Sequence, residues 1–337
     1  MIKEAIAKLV LCRDLTQKET SGAFEEIMQG KACPEQISAF ITALRIKGES
    51  VDEITAAAKV MRQFATKINV AGCVVDTCGT GGSGANTFNI STTSAFVVAG
   101  CEIKVAKHGN RHISSSCGSA DVLEQLGVNL NLNPEQTQKC IEEIGIGFLF
   151  APLYHSAMKY AAGVRKAIGI RTIFNILGPL SNPANATCQV LGVYDRSLTK
   201  IMACVLKNLG LKRAFVVYGL EGVDEISISA ETQVSELKNK KIKTYMISPQ
   251  DHGFKRADLE KIKGGSVVYN AKSVLGVLKG EKGPKRDVVL LNAAYAIYAA
   301  GGAKSIKEAI KSAQRSIDTG AALQKLNSLV KFSNQHI

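Results

Sequence analysis

The sequence predicts an α/β chain with an all-α N-terminal domain, in which a central, mostly parallel sheet is flanked by helices. Three observations predict it. The first seventy or so of the 337 residues are dominated by Ala, Leu, Ile and Glu and contain little Gly. From about Ala71, short apolar runs alternate with Gly-rich or polar loops and helical segments, as when strands are joined through helices. The composition is 46% hydrophobic and 21% charged, too apolar for a disordered chain. A small helical domain is therefore expected over 1–70, with a contribution from about 160–185, and a large α/β domain over 71–337.

In the helical part, Pro34 occupies a first helical position with Glu35 and Gln36 behind it,. Ser50-Val-Asp-Glu53 has the spacing of a capping box and opens a helix through about Thr66,. Four short helices are the natural reading. The apolar run Cys73–Asp76 is the first strand candidate, followed by a Gly-dense loop to Asn89 and a helix over Ser91–Gly100. Ile103–Ala106 is the next strand, then a polar loop over 107–116 and a helix over Ser119–Leu126. Asn133-Pro-Glu-Gln136 caps a helix through Ile144,. Later strands are expected at Gln189–Val193, Arg213–Tyr218, Lys243–Met246 and Val267–Tyr269. Val288–Ala303 is apolar but too short to span a bilayer, so it is a buried helix,.

Nine cysteines, an odd count without a C-x-x-C, argue against a disulfide framework and a structural zinc site,. Reduced thiols in a cytoplasmic protein follow, and the charged N-terminus lacks the apolar core of a secretory signal. The net charge of +13 is uneven: residues 1–199 hold 19 basic and 17 acidic side chains, residues 200–337 hold 23 and 12, and the stretch 238–286 alone holds 13 and 4. A polyanion partner is worth weighing on that charge. An aromatic content of 6% without a stacking array argues against nucleic acid,.

Three loops carry chemistry. Gly79, Gly81, Gly82 and Gly84 follow a strand and precede a helix, so successive N–H groups can ring an anion,. Thr87, Asn89, Ser91 and Thr92 add donors at a helix start, where the partial positive charge favours phosphate. After the second strand, Lys107 supplies a point charge, Arg111 a planar fork, and Ser114–Ser116 and Ser119 further donors,. Two such neighbouring loops suit a ligand with more than one phosphate. Asp224 and Glu225 follow a third strand and can share magnesium through different oxygens,.

Together these segments resemble the anthranilate phosphoribosyltransferase family. The resemblance rests on Gly79-Thr-Gly-Gly82 with Thr87-Phe-Asn-Ile-Ser-Thr92, Lys107-His-Gly-Asn-Arg111, Gly118-Ser-Ala-Asp-Val-Leu-Glu124 and Phe148-Leu-Phe-Ala-Pro152 with His155. It continues through Arg171-Thr-Ile-Phe-Asn175, Leu177-Gly-Pro-Leu180 with Asn182-Pro183, and Val223-Asp-Glu225, along nearly the whole chain. It implies a nucleoside phosphorylase/phosphoribosyltransferase-type fold, a homodimer through the helical domain, and transfer of the phosphoribosyl group of 5-phosphoribosyl-1-pyrophosphate to the amine of anthranilate. It also implies Mg2+, two ions per subunit, held by Ser91, Asp224 and Glu225.

By the same resemblance, phosphoribosyl pyrophosphate meets Gly79, Gly82, Ser83, Thr87, Asn89, Ile90, Ser91 and Thr92. Its second set is Lys107, His108, Gly109, Asn110, Arg111, His112, Ile113, Ser114, Ser115 and Ser119. Anthranilate meets Gly79, Asn110 and Arg165, whose guanidinium suits a carboxylate. Lys107, Asp224 and Glu225 are the catalytic residues, and His108 and His155 line the aromatic channel. Pyrophosphate neutralised by magnesium leaves readily, so an oxocarbenium-like transition state needs positioning and electrostatic stabilisation more than a strong nucleophile.

The chain departs from the family at Ser83, where Asp is usual, at His112 and Cys117, which replace small polar residues, and at Gly163, where Pro is frequent. Two other functions compete. A pyrimidine nucleoside phosphorylase would share the architecture without needing the acidic pair. A non-catalytic nucleic-acid-binding relative would account for the charge.

Overall fold

The computed structural model describes residues 1–82, 84–111 and 117–335. The chain opens with α1 (Ile2–Leu9), α2 (Gln17–Met28), α3 (Pro34–Lys47) and α4 (Val51–Phe64). Capping boxes start α2 and α4: Thr16 and Ser50 accept the N–H groups of Glu19 and Glu53, whose carboxylates answer the caps' own N–H groups,. Glu53 is fully buried yet well bonded, taking Leu15 N and Lys47 Nζ, each at 2.9 Å. Phe24 and Phe40 meet edge to face inside this cluster, centroids 5.7 Å apart,.

The second part begins with β1 (Val74–Gly79), α5 (Ile90–Ala99), β2 (Lys104–Gly109), α6 (Ser119–Gln125), α7 (Pro134–Ile144) and β3 (Ile146–Phe150). Then come α8 (Ala151–Tyr154), α9 (Lys159–Ile168) and α10 (Phe174–Leu177). These return to the first cluster: Phe174 packs on Phe24 at 5.7 Å, and Arg62 Nε donates to the Leu180 carbonyl at 2.7 Å. The sheet resumes with β4 (Cys188–Gly192), α11 (Leu198–Asn208), β5 (Arg213–Gly219), β6 (Thr232–Lys238) and β7 (Lys241–Ile247). Helices α12 (Val267–Leu278), α13 (Pro284–Ala299), α14 (Ile306–Asp318) and α15 (Ala321–Gln335) close the chain.

Among the described residues the sheet has seven strands in the order β3-β2-β1-β4-β5-β6-β7, parallel from β3 to β5 and antiparallel across β6 and β7. One face packs on α5 and α13, with α12 against those two helices, through an apolar core that includes Phe96, Phe215 and Tyr295. The other carries α11 and, beyond it, the N-terminal helices. The chain winds outward from β1 through β2 and β3, then returns to start again at β4. The strand order therefore reverses between β1 and β4, and a ligand crevice is expected at their carboxyl ends.

The mostly parallel sheet and the four leading helices agree with the sequence expectation, as do the strands near 74, 104, 188, 213 and 241. Val267–Tyr269 does not form a strand. Ser266 accepts the Tyr269 N–H and starts α12 there, and that cap outweighs the β-branched pair behind it,. Two strands were not expected. β3 follows α7 with only Gly145 between them, in the left-handed conformation that ends the helix,. β6 has only Val234 and Leu237 as apolar residues, three positions apart, so it shows neither an apolar run nor the alternation that marks a strand,.

Candidate active site

Asp224 lies across the ends of β1 and β4. Gly79 and Gly192 are register partners there. A Cβ on Gly79 would meet the Asp224 carboxylate, and one on Gly192 would overlap its main chain. Both positions must be glycine for the acidic loop to come this close. Gly81, at φ +67°, turns its N–H onto Asp224 Oδ2 at 3.0 Å. Glu225 reaches the first turn of α5, where Ser91 N donates to Oε1 at 3.2 Å,. The glycine loop, the start of α5 and the acidic pair thus form one site.

Lys107 projects from β2 beneath it. It is 3% exposed, and its Nζ donates to the Thr77 carbonyl at 2.6 Å and to Ser91 Oγ at 3.4 Å. Thr77 Oγ1 in turn donates to the Ser91 carbonyl at 2.9 Å. Asp76 is wholly buried, receiving His108 N at 3.4 Å and Asn182 Nδ2 at 2.8 Å. Burial raises the Asp76 carboxyl to about 6, with the Lys107 charge opposing. Burial lowers the Lys107 pKa, against the pull of Asp76, Cys78 and Glu225. Glu225 is raised to about 8, first by burial and then by the Asp224 charge, against Lys107,.

Ser91, Asp224 and Glu225 offer hard oxygen donors, which suit magnesium. No group of three or more His, Cys, Asp or Glu that could hold a metal occurs among the described residues. An ion here would complete its shell with the hydroxyl, water and ligand oxygens. The residues present fit Mg2+ on that basis.

The other expected residues fall in several settings. Thr87 bridges to Lys263, and Phe88 N donates to Ile262 O at 3.1 Å. Asn89 gives its Nδ2 to the Cys117 carbonyl at 3.2 Å, and its buried Oδ1 has no partner among the described residues. Ile90 and Thr92 are each 1% exposed and face the core. At the end of β2, the Asn110 carbonyl accepts Ala120 N at 3.2 Å and Ser119 Oγ at 3.3 Å beside Gly109. The Arg111 fork is engaged bidentately by Glu124 at 2.8 Å and by Asp121 at 3.2 Å. Arg165 lies on α9 with its guanidinium 5.4 Å from the Phe174 ring centre. Ser83, His112, Ile113, Ser114 and Ser115 lie outside the described residues.

His108 and His155 share a contact, Nε2 to Nε2 at 3.2 Å, and His108 Nδ1 meets the Gly178 carbonyl at 3.2 Å. Burial depresses both rings, to about 3 and about 4, with His155 adding to the effect on His108. Both are neutral near pH 7, one ring nitrogen of the contact donating and the other accepting.

Sequence reasoning assigned no role to Arg171, Asp76, Asn182 or the 262–264 segment. Arg171 Nη2 donates to the Gly82 carbonyl, and its guanidinium sits 4.5 Å from the Tyr194 ring centre. Gly264 N donates to Asn86 O at 2.7 Å, clamping the far end of the glycine loop. An ionisable residue within an apolar strand was a usable signal for Asp76, whereas nothing local marked residues 262–264.

Comparison with known proteins gives a consistent result. The helical bundle domain of the glycosyl transferase family matches residues 3–65, and its a/b domain matches residues 71–323. Anthranilate phosphoribosyltransferase of Geotalea daltonii is 54% identical over 349 residues, covering 99% of this chain and 100% of that protein. The protein of that name from Acetivibrio thermocellus is 54% identical over 339 residues, covering 100% and 98%. The crystal structure of anthranilate phosphoribosyltransferase from Thermus thermophilus superposes with a TM-score of 0.93 at 42% identity, covering 98% of this chain and 99% of that one. The Saccharomyces cerevisiae enzyme in complex with PRPP and Mg gives 0.91 at 28% identity, covering 99% and 98%.

Proposed function

The chain belongs to the glycosyl transferase family, among the anthranilate phosphoribosyltransferases, and from that premise we propose how its residues carry the reaction. The chemistry is transfer of the phosphoribosyl group of 5-phosphoribosyl-1-pyrophosphate to the amine of anthranilate, the second step from chorismate to tryptophan. N-(5-phosphoribosyl)anthranilate and pyrophosphate are the products. Relatives 54% identical over the whole chain do not favour a nucleoside phosphorylase or a nucleic-acid-binding protein.

The observation that carries the assignment of roles is the meeting of Asp224 with Gly81 and of Glu225 with Ser91. Gly79, Gly82, Ser83, Thr87 and Asn89, with Ile90, Ser91 and Thr92 at the start of α5, bind the phosphoribosyl pyrophosphate. The run from Lys107 to Ser115, with Ser119, completes its cradle. Ser91, Asp224 and Glu225 hold Mg2+, two ions per subunit. When bound, magnesium neutralises the pyrophosphate and stabilises charge on the departing oxygen.

Lys107 acts as a fixed charge behind Ser91. It holds that hydroxyl in place and offsets Glu225 from the interior, where a charge is weakly screened. Main-chain N–H groups of the glycine loop aim at the phosphates without reorganising. Asn110 and Arg165 orient anthranilate, Arg165 meeting its carboxylate, and the neutral His108–His155 pair lines the aromatic channel without adding charge. No side chain has to abstract a proton before the aniline nitrogen attacks. The small domain comprises 1–70 with about 160–185, and the enzyme is a cytoplasmic homodimer joined through it.

The test follows anthranilate fluorescence with phosphoribosyl pyrophosphate across a magnesium titration. Loss of fluorescence that depends on both substrate and metal is expected. Turnover that is unchanged without magnesium would overturn the metal assignment.

A further inference from the structure

At the amino ends of the same two central strands, away from the acidic pair, Cys73 and Cys188 lie side by side with their sulfurs 3.7 Å apart. Cys188 opens β4 and pairs in register with Val75, two residues after Cys73. The two cysteines differ in setting. Cys188 is buried, and its one thiol proton can go to the Ala299 carbonyl at 3.1 Å or to Cys73 Sγ. Cys73 is exposed and follows Gly72, a turn residue at φ +93°. The Thr187 hydroxyl donates to Cys73 Sγ at 3.6 Å.

We propose that Cys73 and Cys188 are a peroxide-reactive dithiol, in which Cys73 is attacked first and Cys188 resolves it as an intramolecular disulfide. The setting is the one such chemistry needs: an accessible sulfur stabilised as thiolate, with a second thiol in contact. The Cys188 thiol, the Thr187 hydroxyl and the positive charge of Lys212 all favour the Cys73 thiolate, against partial burial. At Cys101 and Cys140 burial dominates instead, raising them to about 11 and about 12.

The steps balance as follows. The Cys73 thiolate attacks one oxygen of a hydroperoxide; an S–O bond forms, the O–O bond breaks, and the other oxygen leaves as alkoxide, which takes up a proton. Cys188 then attacks the sulfenic sulfur; the S–S bond forms, the S–O bond breaks and water leaves. Two thiols are oxidised by two electrons and the peroxide is reduced to an alcohol, or to water from hydrogen peroxide. The sulfurs must close from 3.7 Å to about 2.05 Å,. The exposed 71–73 segment at the Gly72 turn can supply that movement.

The test uses the full-length reduced protein, treated with hydrogen peroxide, blocked with an alkylating agent and mapped by mass spectrometry without reduction. A peptide pair joining Cys73 to Cys188 is expected, with the intact mass lower by about 2 Da and restored by dithiothreitol. Cys73→Ser should yield no link and leave Cys188 alkylatable after unfolding. Cys188→Ser should accumulate sulfenic acid at Cys73, trapped by dimedone. Cys12 and Cys33, which are also exposed, serve as internal references. Cys73 that is no more reactive than these two, or that passes to sulfinic acid with Cys188 still free, would overturn the proposal. The wild-type map decides the matter even if Cys188→Ser fails to fold.

Discussion

The carboxylate of Asp224 accepts the main-chain N–H of Gly81 at 3.0 Å, although 143 positions separate the two residues. That contact joins the loop after β5 to the loop after β1. It requires the two strands ending beneath it, β1 and β4, to present no side chain.

Gly192→Ala tests the requirement directly. Its Cβ would overlap the Asp224 main chain, so the acidic loop must lift. Overpacking of this kind costs about 1–3 kcal/mol. A fall in melting temperature together with weaker magnesium dependence is expected, read by calorimetry and by the magnesium titration. Unchanged values for both would mean that the loop is not seated by this glycine.

Asp224→Ala combined with Glu225→Ala removes the acidic pair. Turnover should fall by at least roughly a hundredfold, while circular dichroism stays that of a folded protein. Lys107→Ala should also lose turnover, but with a loss of stability as well, because Asp76 then lacks its buried counter-charge,. Denaturant titration separates the two variants. Near-normal steady-state rates in either would contradict the roles assigned here.

The His108–His155 pair makes a pH prediction. Both rings have folded-state pKa values depressed below the ordinary 6.5, to about 3 and about 4. The unfolded chain therefore binds more protons below pH 6.5. The stability present above that pH is lost as pH falls toward 4, by up to about 1.4 kcal/mol per pH unit for each ring. His155→Gln should remove about one proton's worth of that slope between pH 6 and 4.5. Equal slopes for the variant and wild type in urea titrations would refute it.

Gly264→Ala tests the clamp on the glycine loop. An added Cβ would come within 2.8 Å of Thr87 O and 3.0 Å of Phe88 N. The KM for phosphoribosyl pyrophosphate should rise roughly tenfold with kcat much less affected. A pure loss of stability with unchanged KM would show that the clamp only holds the fold.

The alternation of strands, loops and helices was legible because each phosphate-type loop lies between an apolar strand and a capped helix. The acidic pair was legible as chemistry, but its partners were not, since only the sheet order brings residue 224 to residue 81. Burial was harder still to read. Lys107 appears in the sequence as a charge beside a loop, whereas β2 turns it inward between Thr77 and Ser91. Arg111 appears as a free fork, whereas α6 presents Asp121 and Glu124 to it one turn apart,. β6 was missed because its evidence lies in its partner strands and in the turn at Asn239 and Lys240, both at positive φ,.

The unexplained basic stretch also has a structural setting. β7 ends the sheet, so one side of its backbone is open to pairing with another chain. Lys238, Lys240, Lys241 and Lys243 cluster on this hairpin, and all four are exposed. Like charges on two such edges repel before their backbones can register. Four of the thirteen basic residues of the 238–286 stretch thus line an edge that is otherwise open to pairing, and a matching edge would meet like charge there,.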